Sequence, residues 1–292
     1  MNELSPGRGM SLFELMPPVL LLRISMEGTG MLKVDLAGKT ALVTGSTRGI
    51  GYEVARQLGA CGAHVIVNGR TQAAVDEALA TLQGCGSYSG VAADVTVLED
   101  LERLAKAIPD FDIVVSNAAV FDWTAFFETT DDDWQRHFEV NVLSGVRLAR
   151  TYLPGMLERN WGRFVLVASE AGLNIPPEMI HYGVSKAAEI ALARGLAELT
   201  AGTGVTVNSV LPGPTLSSGS DDFLRAYAQR HGIPEDSADR HAAMSLRPTT
   251  LLQRMATVEE VASMIVYACS REASATRGAA LRVEGGILRH PG

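Results

Sequence analysis

From Lys39 onward, short apolar and β-branched runs alternate with longer stretches whose apolar positions recur at helical spacing. A short continuous apolar run between turn signals reads as a strand buried on both faces, and a 3.6-residue recurrence reads as a helix with one packed side. The pattern predicts strands at 40–44, 64–68, 91–93, 112–116, 164–168, 205–210 and 280–283. It predicts helices at 49–61, 71–82, 97–107, 131–159 and 181–201, with Ala74, Ala78 and Leu82 along one side of the second. Thr130 is placed to cap the long helix, and Pro154 is expected to kink it or to end its regular part. Thr257-Val258-Glu259-Glu260 has the spacing of a capping box and opens a late helix. Apolar strands alternating with helices predict an α/β fold, one doubly wound parallel sheet with helices on both faces. In such folds ligands sit at the carboxyl ends of the strands.

Two segments break the alternation. Residues 216–250, rich in Ser, Asp, Arg and Pro, read as an insertion at the carboxyl edge, where such segments form lids. Residues 1–33 read as a flexible extension preceding a catalytic domain at 34–292; the alternative is an arm packed on a neighbouring subunit. The apolar stretch at 12–23 is interrupted by Glu14 and Pro17-Pro18, and Glu3 precedes Arg8, which argues against a signal peptide. Met26 and Met31 are alternative starts.

The composition narrows the function classes. Of 292 residues, 47% are hydrophobic and 20% charged, which excludes wholesale disorder. A net charge of −8 argues against a nucleic-acid binder, which needs a basic face. No apolar run approaches the roughly 20 residues of a membrane span. Cys61, Cys85 and Cys269 are scattered and odd in number, so neither a disulfide framework nor a structural zinc site is expected, and reduced thiols point to the cytoplasm. No metal site is expected: the Asp131-Asp132-Asp133 run reads as a helix N-terminus favoured by the helix dipole.

The first candidate chemistry follows the first strand. Thr44-Gly45-Ser46-Thr47-Arg48-Gly49-Ile50-Gly51 joins a strand to a helix, and its glycines let the backbone turn tightly and approach a pyrophosphate at the helix N-terminus. A plain strand-to-helix turn would look similar. After the second strand an NAD site would carry a carboxylate for the ribose hydroxyls. This chain reads Val67-Asn68-Gly69-Arg70-Thr71, without one. Arg70 is placed to meet a 2′-phosphate, with Arg48 opposite, because guanidinium donors match phosphate oxygens. This favours NADP(H) over NAD(H).

The second constellation is Tyr182-Gly183-Val184-Ser185-Lys186 at the start of a helix. Positions i and i+4 share a face, so the phenol and the ammonium point into one space. A phenol ionises near pH ~10 in water, and a neighbouring ammonium favours phenolate, which suits acid–base work nearer neutrality. Ser169 ends the fifth strand, at the edge where ligands bind, and its hydroxyl is suited to a substrate carbonyl.

These motifs, with Asp94, Ser116-Asn117-Ala118-Ala119, Asn141 and Pro212-Gly213, resemble the short-chain dehydrogenase/reductase family over residues 34–288. The resemblance implies a single-domain Rossmann-type sheet of about seven strands and hydride transfer between a nicotinamide cofactor and an alcohol or carbonyl. It implies that Tyr182 is the general acid, that Lys186 tunes it and binds the nicotinamide ribose, that Ser169 orients the carbonyl, and that Asn141 holds a water relaying protons to Lys186. For the cofactor it implies Gly45, Thr47, Arg48, Gly49, Ile50 and Gly51 at the loop, and Asn68, Gly69 and Arg70 after the second strand. Asp94 and Val95 would line the adenine pocket, and Asn117, Ala118 and Ala119 the ribose. Pro212, Gly213 and Thr215 would lie beside the nicotinamide. It also implies a homotetramer or homodimer acting on a small-molecule carbonyl or alcohol. The chain departs from the family at Ser116, Ala119 and Glu284, where Asn, Gly and Asp are usual. A non-catalytic NADP-binding redox sensor is the alternative of another class; an NAD-dependent alcohol dehydrogenase is the alternative within the family. His181 reads as structural rather than substrate-contacting, and Trp123, Phe126 and Phe127 as core, interface or pocket lining.

Overall fold

The computed structural model describes residues 34–82, 84, 86–217 and 220–290; the extension at 1–33 and Cys85 lie outside them. Seven strands line up in parallel. They are β1 (Thr40–Val43), β2 (His64–Gly69), β3 (Ser87–Ala92), β4 (Ile113–Ser116), β5 (Gly162–Val167), β6 (Val205–Pro212) and the last strand, β9 (Ala280–Val283). Their order is β3-β2-β1-β4-β5-β6-β9, so the winding reverses between β1 and β4, and a crevice opens there at the carboxyl ends. Strands β1, β4 and β5 are almost wholly buried, as a strand covered on both faces must be.

Helices cover both faces. On one face α1 (Gly49–Ala60), α2 (Gln72–Leu82) and α9 (Val258–Cys269) pack Val54, Leu58, Leu82, Val261 and Ile265 onto Val43, Val65 and Val115. On the other, α3 (Leu98–Ala107), α5 (Ser144–Glu158) and α6 (Ile180–Glu198) pack Leu104, Leu148, Tyr152 and Ala193 onto Leu42, Val114 and Phe164. Each such Leu is closed to solvent, and truncation of one to Ala costs about 2–5 kcal/mol. The expected box at Thr257 is present: its hydroxyl accepts from the Glu260 amide, and the Glu260 carboxylate accepts from the Thr257 amide.

The long helical zone differs from its expectation. Helix α4 (Asp131–His137), capped by Thr130, runs into a π-helical turn at Phe138–Leu143 before α5 begins. Pro154 neither ends nor interrupts α5, which continues to Glu158. Pro154 and Arg150, whose carbonyl loses its usual partner, are both exposed, so solvent can take the bond. The extra residue of the π-turn accompanies Asn141, which is fully buried. Strand β3 starts four residues earlier than its apolar pattern, because Ser87 to Gly90 pair with β2 through the backbone at a largely exposed edge. The insertion folds as β7 (Thr215–Leu216), α7 (Ser220–His231) and α8 (Glu235–Leu246), and β7 pairs with β8 (Ala256–Thr257). No helix among the described residues is long and apolar enough to cross a membrane.

Candidate active site

The crevice between β1 and β4 is built from backbone and small side chains. Gly45 and Gly49 take positive φ, which an L side chain resists. A Cβ on Gly51 would sit 2.4 Å from Asn117 Nδ2 and 2.5 Å from the Gly45 carbonyl oxygen. The Asn117 amide donates to the carbonyls of Thr44 (2.9 Å) and Gly45 (3.2 Å), while Thr44 Oγ1 accepts from the Asn117 and Ala118 amides. The end of β4 thus holds the glycine loop in shape. Arg48, at the N-cap of α1, makes no side-chain cap, and the first turn carries no acid. This is the donor-rich, positive end that an anion prefers.

Asn68 is also spent on scaffolding. Its Nδ2 donates to the Val91 and Ala93 carbonyls, and its Oδ1 accepts from the Gly45 amide. Next to it, a Cβ on Gly69 would lie 2.5 Å from Thr47 Cγ2, so any side chain there must push Thr47 aside. That close approach places Arg70 and Arg48 on residues adjacent to a touching pair. Both are exposed and neither has a carboxylate partner among the described residues. Asp94, beyond β3, accepts from Thr96 N and Oγ1, and Val95 beside it is buried. The loop and the first turn of α1 therefore suit an anion, with two exposed arginines nearby.

On the other side of the switch point stand Ser169, Tyr182 and Lys186. Ser169 follows β5 and caps a short 3-10 turn, accepting from the Ala171 amide at 3.1 Å. Tyr182, in the first turn of α6, is half-buried, with the Phe121 ring edge-on at 6.3 Å. Lys186 is shut off from solvent; its Nζ lies 5.8 Å from the Tyr182 ring centre and donates to the Val167 carbonyl at 2.9 Å. Asn141 joins the two segments that flank this group. Its Oδ1 accepts from the Val120 amide, and its Nδ2 donates to the Val120 carbonyl and to Ser185 Oγ. Ser185 Oγ in turn donates to the Tyr182 carbonyl at 2.7 Å. These bonds use both Nδ2 hydrogens and one of the two lone pairs of Oδ1.

Pro212 ends β6, Gly213 approaches Glu284 so closely that a Cβ would lie 3.0 Å from its backbone, and Thr215 Oγ1 donates to the Gly213 carbonyl. The departure at Glu284 has a structural use. Its carboxylate accepts from the Ile287 and Leu288 amides and from Arg282, tying down the end of β9. Ala119 is exposed beside the crevice, and Ser116 is buried.

Four ionisable residues at this edge, Glu170, Arg247, Glu189 and His137, belong to no motif. Glu170, next to Ser169, is buried and accepts from Arg247 Nε at 2.7 Å; Arg247 follows α8. Burial pushes the Glu170 carboxyl up, and Arg247 opposes it. Glu189, three residues beyond Lys186, pairs with its ammonium at 2.6 Å. His181 and His137, both buried, meet edge-on at 4.3 Å behind Tyr182, and burial pulls His181 down, His137 adding to the effect. The sequence signal for the acids was a carboxylate in an otherwise apolar stretch. His181 is buried rather than solvated. Trp123, Phe126 and Phe127 are not core: all three are exposed, Phe127 almost entirely. Cys269 is buried, and burial pushes its thiol up to about 12, so it is unsuited to nucleophilic work. Among the described residues no cluster could hold a metal ion.

Comparison with known proteins agrees with this geometry. The family model described as short chain dehydrogenase matches residues 39–226. The uncharacterized oxidoreductase YvrD of Bacillus subtilis (strain 168) is 46% identical over 260 residues, covering 88% of this chain and 98% of its own. Human dehydrogenase/reductase SDR family member 4 is 35% identical over 270 residues, covering 90% and 92%. The crystal structure of L-sorbose reductase from Gluconobacter frateurii, complexed with NADPH and L-sorbose, superposes with a TM-score of 0.81 at 28% identity, covering 89% of this chain and 100% of that one.

Proposed function

The chain belongs to the short-chain dehydrogenase family of oxidoreductases, and we propose that within it the protein is an NADP(H)-dependent reductase of a small-molecule carbonyl, reversible to the secondary alcohol. The observation that carries this reading is the gathering of Ser169, Tyr182 and Lys186 at the carboxyl edge, with the ammonium buried behind the phenol ring. A redox sensor has no need of such a group.

The glycine loop and the first turn of α1 would hold the pyrophosphate, and Arg48 with Arg70 the 2′-phosphate. The absence of an acid at Gly69 supports NADP(H). When bound, the cofactor supplies or accepts the hydride. Tyr182 gives its phenolic proton to the carbonyl oxygen, and the Ser169 hydroxyl donates a hydrogen bond that holds that oxygen in place. The Lys186 charge stabilises the phenolate left behind. Asn141 acts through Ser185, fixing the start of α6 against the loop after β4. The Glu170–Arg247 pair ties the insertion to the residue after Ser169, so the wall over the substrate is anchored to the strand that orients it.

The test is NADPH-dependent turnover of a panel of ketones, aldehydes and keto-sugars by the wild type and by Tyr182→Phe. Turnover by the wild type that collapses in the variant supports the reading. Undiminished turnover in the variant, or tight cofactor binding with no turnover of any carbonyl, contradicts it.

A further inference from the structure

The buried face of α6 is made of small or uncharged side chains apart from Lys186 and Glu189. Residues three apart lie on one helix face, and here both are sealed from water, at 2% and 1% side-chain exposure, with 2.6 Å between Nζ and Oε2. An ammonium has three donors. Here Nζ donates to the Val167 carbonyl, forms an ion pair with Glu189 Oε2 and lies 5.8 Å from the Tyr182 ring centre. A buried ammonium without a counter-charge gives up its proton rather than stay ionised.

The elements packed on α6 offer no other counter-ion. The turn after Ser169 brings Glu170, held by Arg247, and the π-turn brings Glu139, held by Arg147. Helix α4 brings Asp131, Asp132 and Asp133 at its exposed start, Arg136 paired with Asp122, and His137. The turn before α6 brings Glu178, and β5 brings Arg163, spent on the Ser270, Gly162 and Gly204 carbonyls. Strand β6 carries no charge.

We propose that Glu189 is a positioning residue of the reaction: its carboxylate is the buried counter-ion that keeps Lys186 charged and held behind Tyr182. The inference rests on the role given to Lys186 above. Burial works against the Lys186 charge, but Glu189 and then Tyr182 outweigh it and hold the group above its ordinary value. Burial pushes Glu189 up to about 7 against the pull of Lys186. The counter-charge is therefore present on the alkaline side. On the acidic side Glu189 is protonated, and the acidity of the medium alone keeps the amine charged.

The test compares kcat/KM for carbonyl reduction in the wild type, Glu189→Gln and Lys186→Met from about pH 6 to about pH 9, with isotope-labelled lysine NMR on the same proteins. Glu189→Gln keeps the shape and removes the charge. Its activity is expected within about threefold of wild type at the acidic end and about tenfold lower at the alkaline end, the loss when the lysine titrates about one unit below that pH. The lysine resonance missing from Lys186→Met is expected to remain that of an ammonium across the whole range in the wild type, and in Glu189→Gln to lose its proton about one unit below the alkaline end. A Glu189→Gln to wild-type ratio that is constant with pH overturns the proposal, leaving Glu189 a packing role. So does a wild-type Lys186 resonance that titrates below the ordinary range, a result that needs no variant of Glu189. Full activity in Lys186→Met overturns the reading of Lys186 itself, independently of Glu189.

Discussion

The two sides of the crevice are built on opposite principles. Around β1, β2 and β4 the site is made of space and backbone. Gly45, Gly51 and Gly69 let the chain pack closely on itself, Asn68 and Asn117 satisfy carbonyls, and the two arginines are exposed at the rim with no carboxylate partner among the described residues. Around β5 and α6 it is made of buried charge. Glu170 meets Arg247 and Lys186 meets Glu189, each pair almost wholly out of water. A ligand that brings its own charge needs an unoccupied, donor-rich cradle. Proton transfer needs charges already fixed in low dielectric, where they act strongly on their neighbours. The first half is sensitive to added volume and the second to a lost partner.

That contrast can be broken most forcefully in the charged half. Arg247→Met leaves Glu170 buried without its counter-ion, and a loss of about 3–5 kcal/mol in unfolding free energy is expected by denaturant titration. A loss below about 1 kcal/mol would show that solvent reaches the pair. Tyr182→Phe removes the proton donor and leaves the packing, so kcat is expected to fall about 10²–10⁴-fold while the melting temperature holds. In the cradle the effect is steric and smaller. Gly69→Ala presses a methyl against Thr47 Cγ2, with an expected cost of about 1–3 kcal/mol and weaker cofactor binding in the same variant. Away from both halves, the Glu260 carboxyl is held down to about 2 by Arg254 and the Thr257 amide. A depressed carboxyl adds stability above its unfolded value, near pH ~4.3, and that stability is lost as pH falls toward 2. Glu260→Gln should therefore flatten the acid side of the melting-temperature profile in that window and leave the neutral side little changed.

The two halves also differ in how far they could be read from the chain. The cradle was legible because it is local. Gly45, Gly49 and Gly51 sit within seven residues between a strand and a helix, and the missing acid at Gly69 marks the end of the next strand. Most strand positions and the Thr257 box followed from periodicity and spacing for the same reason. The charged half was legible only as far as Tyr182, Lys186 and Ser169. Arg247 lies 77 residues from Glu170, inside the segment whose pattern was least regular, and nothing local pairs them. Glu189 looked like one more polar residue on a helix until the fold turned its face inward. The π-turn escaped because its cause is tertiary: Asn141 is bonded to Val120 and Ser185, which come from other elements. Pro154 does not end α5, and its exposed face lets solvent take the bond that the Arg150 carbonyl loses. The exposure of Phe126 and Phe127 is the converse case, apolar residues that one chain does not bury.

The cradle as proposed here takes a cofactor with a 2′-phosphate. Fluorescence titration of NADPH and NADH with the wild type and with Arg70→Ala tests it without needing the substrate. The account predicts NADPH binding at least about tenfold tighter than NADH, a difference of about 1.4 kcal/mol, with most of that margin gone in Arg70→Ala. Equal or tighter binding of NADH by the wild type would contradict it.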